Sequence, residues 1–379
     1  IGVAGVTFSI TIAALSYTTT ILGPRLLTNF MSDKGNQITL GTFLATFTYC
    51  LLLLRTIQAS NDTGTTFVPH LSILFAIMLA MASLAVLIYF IHHIAESLHV
   101  SNVIADIAAD LDRAIEAFDN RSRDTEDRQP AAALPTDFLE RSAPVRATKD
   151  GYIQNMAHAT IVNAAFKHDL VVRVERVPGD FVAEQQILAR VWPADALDNS
   201  TIEGTVQRAY AIGSQRTKPQ DVLFLVNELV EIAARALSPG TNDPYTAMSC
   251  LDWLVASLNR LARRRMPSLT YFDDNDVLRL WAPTFDFEAL ANAIFDQLRC
   301  YFATDVNAAV HMLDRLGECG EFIGRSTDRD LLHAHAKALD TAARPNIHNP
   351  RDEARLDEAA RRADRLLTHP DERRGALPA

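Results

Sequence analysis

Long apolar stretches, broken by short polar connections, make up the first quarter of the chain. Between Ile1 and Ala95 only five residues are charged: Arg25, Asp33, Lys34, Arg55 and Asp62. Three stretches without charge lie around them, over residues 1–24, 35–54 and 71–91. Each has about the 20 residues that a helix needs to cross the hydrocarbon core of a bilayer. The pattern therefore predicts a transmembrane domain of three helices over residues 1–95.

The basic residues near the span ends favour one orientation. Arg25 and Lys34 lie in the first connection, whereas the second, residues 56–70, has no Lys or Arg. Because Lys and Arg near span ends are enriched on the cytoplasmic side, we expect the first connection and the C-terminal part there. The chain begins inside an apolar stretch, so a fourth span is expected upstream. The expected location is the inner (plasma) membrane of a bacterium, in contact with membrane lipid.

Beyond the spans the pattern becomes that of a soluble domain. Residues 96–147 carry apolar residues at helical spacing and then a charged, Pro-containing stretch, which predicts a juxtamembrane helix and a linker. Residues 148–196 contain short β-branched runs separated by turns, which predict a small β-rich module. Its run VPGDFVAEQQILARVW resembles the hairpin of biotinyl/lipoyl-type barrels but lacks a lysine at the tip. A barrel-like structural module without a swinging cofactor is expected.

The rest of the chain has helical periodicity. Residues 197–345 predict a helical domain, and residues 346–379 a charged C-terminal helix and tail. In that last helix Leu356, Ala360, Ala363 and Leu367 form a thin apolar stripe, typical of a packed or oligomer-facing helix. The expected fold class is therefore membrane α-helical, with a cytoplasmic α+β domain that combines a small β-barrel-like module and a helical bundle.

The first span is rich in hydroxyl side chains. Polar groups in hydrocarbon need partners, either across a helix interface or along a water-filled path. One interpretation is therefore tight helix packing, with the hydroxyls bonded to their own helix. The other is the lining of a pore, for which the candidates are Thr7, Ser9, Thr11, Ser16, Thr18 and Thr20.

Two further membrane features have a structural and a functional interpretation. Arg25 at the exit of the first span is either an interfacial arginine that reaches the headgroups or a pore-mouth residue that attracts anions. His92, Glu96 and His99 have the spacing of one helix face at the inner end of the third span. They are either ordinary interfacial residues or a sensor of pH or of a divalent metal.

The segment SPGTNDPY interrupts two strong helical patterns. Its Pro and Gly explain the break, and its polar residues can cap the helix that begins at Pro244. The same residues at a helix N-terminus could also bind an anion or a small ligand. The ligand-loop candidates are Ser238, Thr241, Asn242 and Asp243.

Several classes of protein are not favoured. No catalytic triad, nucleotide fingerprint or paired-carboxylate motif is visible, so we expect neither an enzyme nor a bound cofactor. The net charge of −10 and the lack of a basic stripe disfavour a nucleic-acid partner. The cysteines form no CxxC pair, which disfavours a structural metal site or a disulfide framework: Cys50, Cys250, Cys300 and Cys319.

Several strings resemble one known family. These are GVTFSITIAAL, GPRLLTNFMSDKGNQITLGTFLATFTYCLLLLRTI, LIYFIHHIAESL, DGYIQNM, RVPGDFV and RALSPGTNDPYTA. Together they resemble the DUF2254 family of predicted bacterial membrane proteins, over nearly the whole chain. The resemblance implies a membrane location and one further N-terminal span, but no activity. Gly23 stands where the family pattern has a serine, so the resemblance implies no role for a hydroxyl there.

Two functions compete at this point. The first is a homo-oligomeric ion channel, in which the first span lines the path and the cytoplasmic domain gates it. The second is a membrane-anchored sensor or scaffold, whose cytoplasmic domain binds a ligand or a protein partner. A membrane-embedded enzyme is a third alternative, which no catalytic constellation supports.

Overall fold

The computed structural model describes residues 34–56, 68–97, 99–123, 134–198, 200–264, 269–273, 275 and 277–368, together with seven helical residues between positions 5 and 16. Two compact units are present, Ile1–Ile104 and Ala105–Ala379. The first contains the apolar helices, and the second contains both sheets and the remaining helices.

Two helices of the first unit are long and apolar enough to cross a membrane. Helix α1 spans Lys34–Thr56, and helix α2 spans His70–Ser97, of which His70–Ile94 is the apolar part. Apolar side chains on α2 such as Leu71 and Met81 are largely exposed, as expected for a surface that faces lipid. The predicted second and third spans are thus present as helices. Most of the predicted first span lies outside the described residues.

Helices α1 and α2 pack through polar side chains. The Thr46 and Ser83 hydroxyls lie 3.0 Å apart, and the Tyr49 hydroxyl donates to the Ser72 carbonyl at 3.2 Å. Asn36 and Thr39 are also buried on α1. None of these groups is among the pore-lining candidates, all of which lie in the predicted first span.

Helix α3, Val100–Arg123, has one apolar and one acidic face. Ile107, Leu111 and Ile115 are buried. Of the acidic residues, Asp110 pairs with Lys218 at 3.4 Å, and Asp112 pairs with Arg260 and accepts from Ser257 at 2.9 Å. The part of α3 from residue 105 onward is therefore fixed to the second unit by apolar burial and by ion pairs.

The larger sheet has five strands in the order β1-β5-β3-β8-β7. All neighbours are antiparallel except β3 and β8, which are parallel. Its strands are β1 Ala143–Arg146, β3 Val171–Val174, β5 Ile187–Trp192, β7 Leu269–Phe272 and β8 Leu278–Ala282. A short helix α4, Phe138–Arg141, precedes β1.

The smaller sheet has three antiparallel strands in the order β4-β2-β6. They are β2 Gly151–Met156, β4 Phe181–Val182 and β6 Tyr210–Gly213. The barrel-like module expected from the hairpin sequence is wrong for the described strands, which form two open sheets. The hairpin divides between them, because β4 pairs with β2 and β5 pairs with β1 and β3.

Two helices pack against the strands, and the helices that follow form a bundle. Helices α5, His158–Lys167, and α6, Ser200–Arg208, contribute Ile161, Ala165 and Val206 to a core shared with the strands. The bundle that follows consists of α7 Val222–Ala236, α8 Pro244–Ala262, α9 Phe287–Phe302, α10 Val306–Gly320, α11 Ser326–Ala343 and α12 Pro350–Thr368. Strands β6, β7 and β8 lie within the segment whose periodicity predicted helices only.

The apolar stripe of the last helix packs inside the chain. Leu356, Ala363 and Leu367 are buried, and Ala359 rather than Ala360 completes the stripe. Gly317 and Gly320 of α10 allow this approach, since a Cβ on Gly317 would stand 2.9 Å from the Ala363 Cα. Of the two interpretations of the stripe, intramolecular packing is the one the structure shows.

Candidate ligand-binding site

A cavity of about 190 Å³ lies in the second unit, where the smaller sheet meets the helical bundle. Its walls come from the end of β2, the start of α5, the turn before β4, the start of α7 and the segment that enters α9. The apolar lining residues are Met156, Val177, Pro178, Val222, Leu223, Pro283, Phe285 and Ala289, and the polar ones are His158, Gln220, Asp221 and Thr284.

Asp221 is the charged residue of the cavity wall, and its carboxylate is already occupied. Arg216 donates to both carboxylate oxygens, at 2.7 and 2.9 Å, and the Phe224 amide donates at 2.9 Å as the N-cap contact of α7. Burial raises the pKa of Asp221 above its ordinary value, while Arg216 and the Phe224 amide act in the opposite direction. Asp221 therefore serves the wall itself, by capping α7 and holding Arg216.

The turn before β4 is pressed against Asp221. Gly179 has a φ of +101°, and a Cβ there would stand 2.4 Å from the Asp221 Oδ2. The Gly179 amide donates to the Ile153 carbonyl at 2.8 Å, which fixes the turn to β2. Only glycine satisfies both the backbone conformation and the close contact. The turn consequently places Val177 and Pro178 in the wall.

Gln220 closes another part of the wall. Its Oε1 accepts from the Met156 amide at 2.9 Å, and its Nε2 donates to the Met156 carbonyl at 3.3 Å. The side-chain amide thus pairs with the end of β2 as a neighbouring strand would. Since Gln220 and Asp221 both bond within the wall, the surface that faces the cavity is largely apolar.

The size and the lining define the ligands that fit. An apolar cavity of about 150 Å³ binds benzene in an engineered protein, so a cavity of this size accommodates a molecule of about one ring. Apolar walls with a few fixed polar groups are typical of small-molecule sites. Among the described residues, no group of three His, Cys, Asp or Glu side chains is placed to hold a metal ion.

The predicted ligand loop does not line this cavity. Asp243 caps α8, since its Oδ1 accepts from the Thr246 amide at 3.1 Å. The Ser238 hydroxyl donates to the Arg235 carbonyl at 2.6 Å. The Ser238 carbonyl accepts from the amides of Thr241 and Asn242. The capping interpretation is therefore confirmed, and ligand binding at this exposed loop stays a prediction.

The three candidate sensor residues at the end of α2 do not share one helix face as predicted. His92 and Glu96 lie one turn apart in α2, but α2 ends at Ser97, so His99 is not on the same helix. The His92 Nδ1 lies 3.0 Å from the Ile88 carbonyl, and the Glu96 carbonyl accepts from the His99 amide at 3.2 Å. Sensing of pH or of a divalent metal at these residues stays a prediction.

The pore-lining candidates fall mainly outside the described residues. This applies to Thr7, Thr11, Thr18, Thr20 and the pore-mouth candidate Arg25. Ser9 and Ser16 are helical and exposed, and the Ser9 hydroxyl donates to the Gly5 carbonyl at 3.0 Å. Ser9 thus forms the hydrogen bond to its own helix that the first interpretation of these hydroxyls expects.

One family model and several uncharacterized relatives match the chain. The family model described as "Predicted membrane protein (DUF2254)" matches residues 1–318. The uncharacterized proteins Mb1321c of Mycobacterium bovis and Rv1290c of Mycobacterium tuberculosis are 28% identical to the chain over 369 residues. The matched segment is 97% of this chain and 70% of each relative. No solved structure is significantly similar to the chain.

Proposed function

Since the chain belongs to the DUF2254 family of predicted membrane proteins, we propose that it is a membrane-anchored sensor that binds a small, mostly apolar ligand. The observation that carries the proposal is the cavity of about 190 Å³ beside Asp221. Helices α1 and α2 serve as anchors, and the ligand-binding part is the second unit. The Lys and Arg residues near the span ends support a cytoplasmic location for that unit.

The construction of the cavity wall supports a binding role. The pocket is partly open to solvent, and contacts within the protein fix its wall. These contacts are the Gly179 turn against Asp221 and the Arg216–Asp221 pair. Pre-organised walls of this kind lower the cost of ligand binding.

Ligand-observed NMR on the full chain in phosphatidylcholine nanodiscs tests the proposal. The probes are single-ring compounds: benzyl alcohol, phenol, benzoate and cyclohexanol. The decisive variant is Ala289→Phe, which adds a ring to the α9 side of the cavity. At least one probe should show saturation transfer to the wild type, and Ala289→Phe should reduce it more than fivefold.

Ala354→Phe is the matched control, because Ala354 is an exposed helical alanine on α12. It should leave the NMR signal unchanged. A signal that is equal in the wild type and in Ala289→Phe would show partitioning into lipid rather than binding, and would refute the proposal. So would the absence of saturation transfer to the wild type for all four probes.

The competing function is a homo-oligomeric ion channel, favoured by the hydroxyl-rich first span and by the polar groups between α1 and α2, such as Thr46 and Ser83. Several copies around an axis would be needed to enclose a path. Flux of K⁺ or Cl⁻ from liposomes that contain the full chain, lost on Ser83→Leu, would favour the channel. No flux above that of protein-free liposomes at pH 5 to 8 would exclude it and leave the sensor.

A further inference from the structure

Lys218 joins the wall of the cavity beside Asp221 to helix α3. Its Nζ lies 3.4 Å from the Asp110 Oδ2 on α3 and 3.2 Å from the Glu228 Oε2 on α7. Both contacts lie within the second unit. Glu228 is buried, whereas Asp110 and Lys218 are partly exposed. One ammonium group therefore contacts α7 and α3 at the same time.

The turn that carries Lys218 also forms part of the cavity wall. Lys218–Gln220 is a single 3-10 turn, and Gln220 lines the cavity and pairs with the backbone of Met156. Immediately before this turn, the Thr217 hydroxyl donates to the Gln154 carbonyl of β2 at 2.9 Å. The backbone of Lys218 is thus held between two attachments to β2, so that a displacement of Lys218 is also a displacement of the wall.

Helix α3 is the element into which the chain passes after span α2. A second ion pair, Glu116–Arg264 at 3.5 Å, holds α3 to the chain just beyond the end of α8. Neither of these two residues lines the cavity. The Asp110–Lys218 pair differs from it, because its cation belongs to the turn that enters the cavity wall.

We propose that the Asp110–Lys218 pair couples the cavity to α3, so that a ligand in the cavity holds α3 against the rest of the second unit. The inference rests on the proposed sensor function and gives that sensor an output. The cavity is formed in the same arrangement in which Lys218 contacts Asp110, and a ligand that binds this arrangement stabilises all of it. Of the two contacts of Lys218, the one with Asp110 is the weaker, because separation from Glu228 would remove the cation from a buried carboxylate.

Hydrogen–deuterium exchange of the full chain in phosphatidylcholine nanodiscs tests the coupling. The probe is whichever of benzyl alcohol, phenol, benzoate and cyclohexanol gives the strongest NMR signal. Its binding should slow exchange of the α3 amides around Asp110 at least twofold. Because coupling between two sites is reciprocal, Asp110→Asn should weaken binding of the probe. The expected loss of affinity is about twofold to fivefold, as for a partly exposed ion pair, and the probe should no longer slow exchange in α3.

Glu116→Gln is the matched control, because it removes an ion pair of α3 that does not reach the cavity wall. Arg113→Gln is a second control, because Arg113 pairs with Asp110 within α3 itself. Both should leave the affinity and the protection of α3 unchanged. Equal weakening by Glu116→Gln and Asp110→Asn would show a general loosening of α3 and overturn the coupling.

The same measurements separate the coupling from the proposed function. Binding of the probe without any change of exchange in α3 would overturn the coupling and leave the sensor. No binding of any of the four compounds would refute the sensor and the coupling together. If Asp110→Asn does not fold by circular dichroism, the effect of the probe on α3 in the wild type decides.

Discussion

Gly179 lies directly against the carboxylate of Asp221, so that a Cβ at position 179 would stand 2.4 Å from the Asp221 Oδ2. This contact joins the turn before β4 to the first turn of α7. It also explains why Val177 and Pro178 reach the cavity wall, because the turn cannot move away without losing its bond to Ile153.

Gly179→Ala should therefore destabilise the second unit. The alanine would combine a φ of +101° with a clash against Asp221, and the expected loss is about 2–4 kcal/mol in the free energy of unfolding. Denaturant unfolding monitored by tryptophan fluorescence measures it. Gly240→Ala is the control, because a Cβ at Gly240 would meet nothing within 4 Å. Equal stability of the two variants would contradict the assigned contact.

Gly317→Ala should loosen the last helix. The added Cβ would stand 2.9 Å from the backbone Cα of Ala363, so α10 and α12 must separate, at a cost of about 1–3 kcal/mol. Limited proteolysis should then cut within residues 344–368 sooner than in the wild type. Gly324→Ala, where a Cβ has open space, should leave the rate of cleavage unchanged. Wild-type cleavage of Gly317→Ala would show that α12 does not rely on this contact.

The hydrogen bond between Thr46 and Ser83 should be measurable as a coupling energy. The two hydroxyls are 3.0 Å apart on different helices, and bonds of this kind between membrane helices average about 0.6 kcal/mol. A double-mutant cycle with Thr46→Val and Ser83→Ala, followed by SDS unfolding, tests this value. Thr48→Val with Ser83→Ala is the control cycle, because the Thr48 hydroxyl donates to Leu44 of its own helix. A coupling energy of zero in the first cycle would refute the contact.

His335 should make stability depend on pH. Burial lowers the pKa of His335 below its usual value of about 6.5, although Asp296 opposes the shift, and Arg299 adds to it. As pH falls through 6.5, the unfolded chain takes up a proton that the folded chain does not yet bind. The free energy of unfolding should therefore decrease as pH is lowered from 7 to 5, by at most about 1.4 kcal/mol per pH unit from this one group.

His335→Gln should flatten that slope, as measured by denaturant unfolding at pH 5, 6 and 7. His348→Gln replaces an exposed histidine near α12 and should keep the wild-type slope. If His335→Gln retains the full slope, the pH dependence has another origin and the account of His335 is wrong.

The features that could be predicted from the sequence depend on local patterns. The spans at α1 and α2, the strands β2 to β5 and most bundle helices follow from charge-free length or from periodicity within one segment. The capping role of Asp243 follows from the residues next to it. Each of these can be found without knowing what packs against the segment.

The features that were missed depend on contacts distant in the chain. Strand β8 pairs with β3, where Val172 lies opposite Leu280, and no local signal marks such a partner. The hairpin sequence likewise does not specify whether its sheet closes, so the barrel prediction failed. The cavity walls come from four separate segments of the chain. Of the cavity residues, only Val177 and Pro178 belong to a motif visible in the sequence, where they are part of the predicted hairpin.

The most direct test of the proposed sensor locates the bound ligand. Hydrogen–deuterium exchange of the full chain, with and without the single-ring compound that gives the strongest NMR signal, reports the protected segments. The cavity assignment predicts protection at residues 156–158, 220–223 and 283–289, and none in Ala289→Phe. Protection confined to residues 238–243, the ligand loop predicted from the sequence, or no protection at all, would contradict a ligand site beside Asp221.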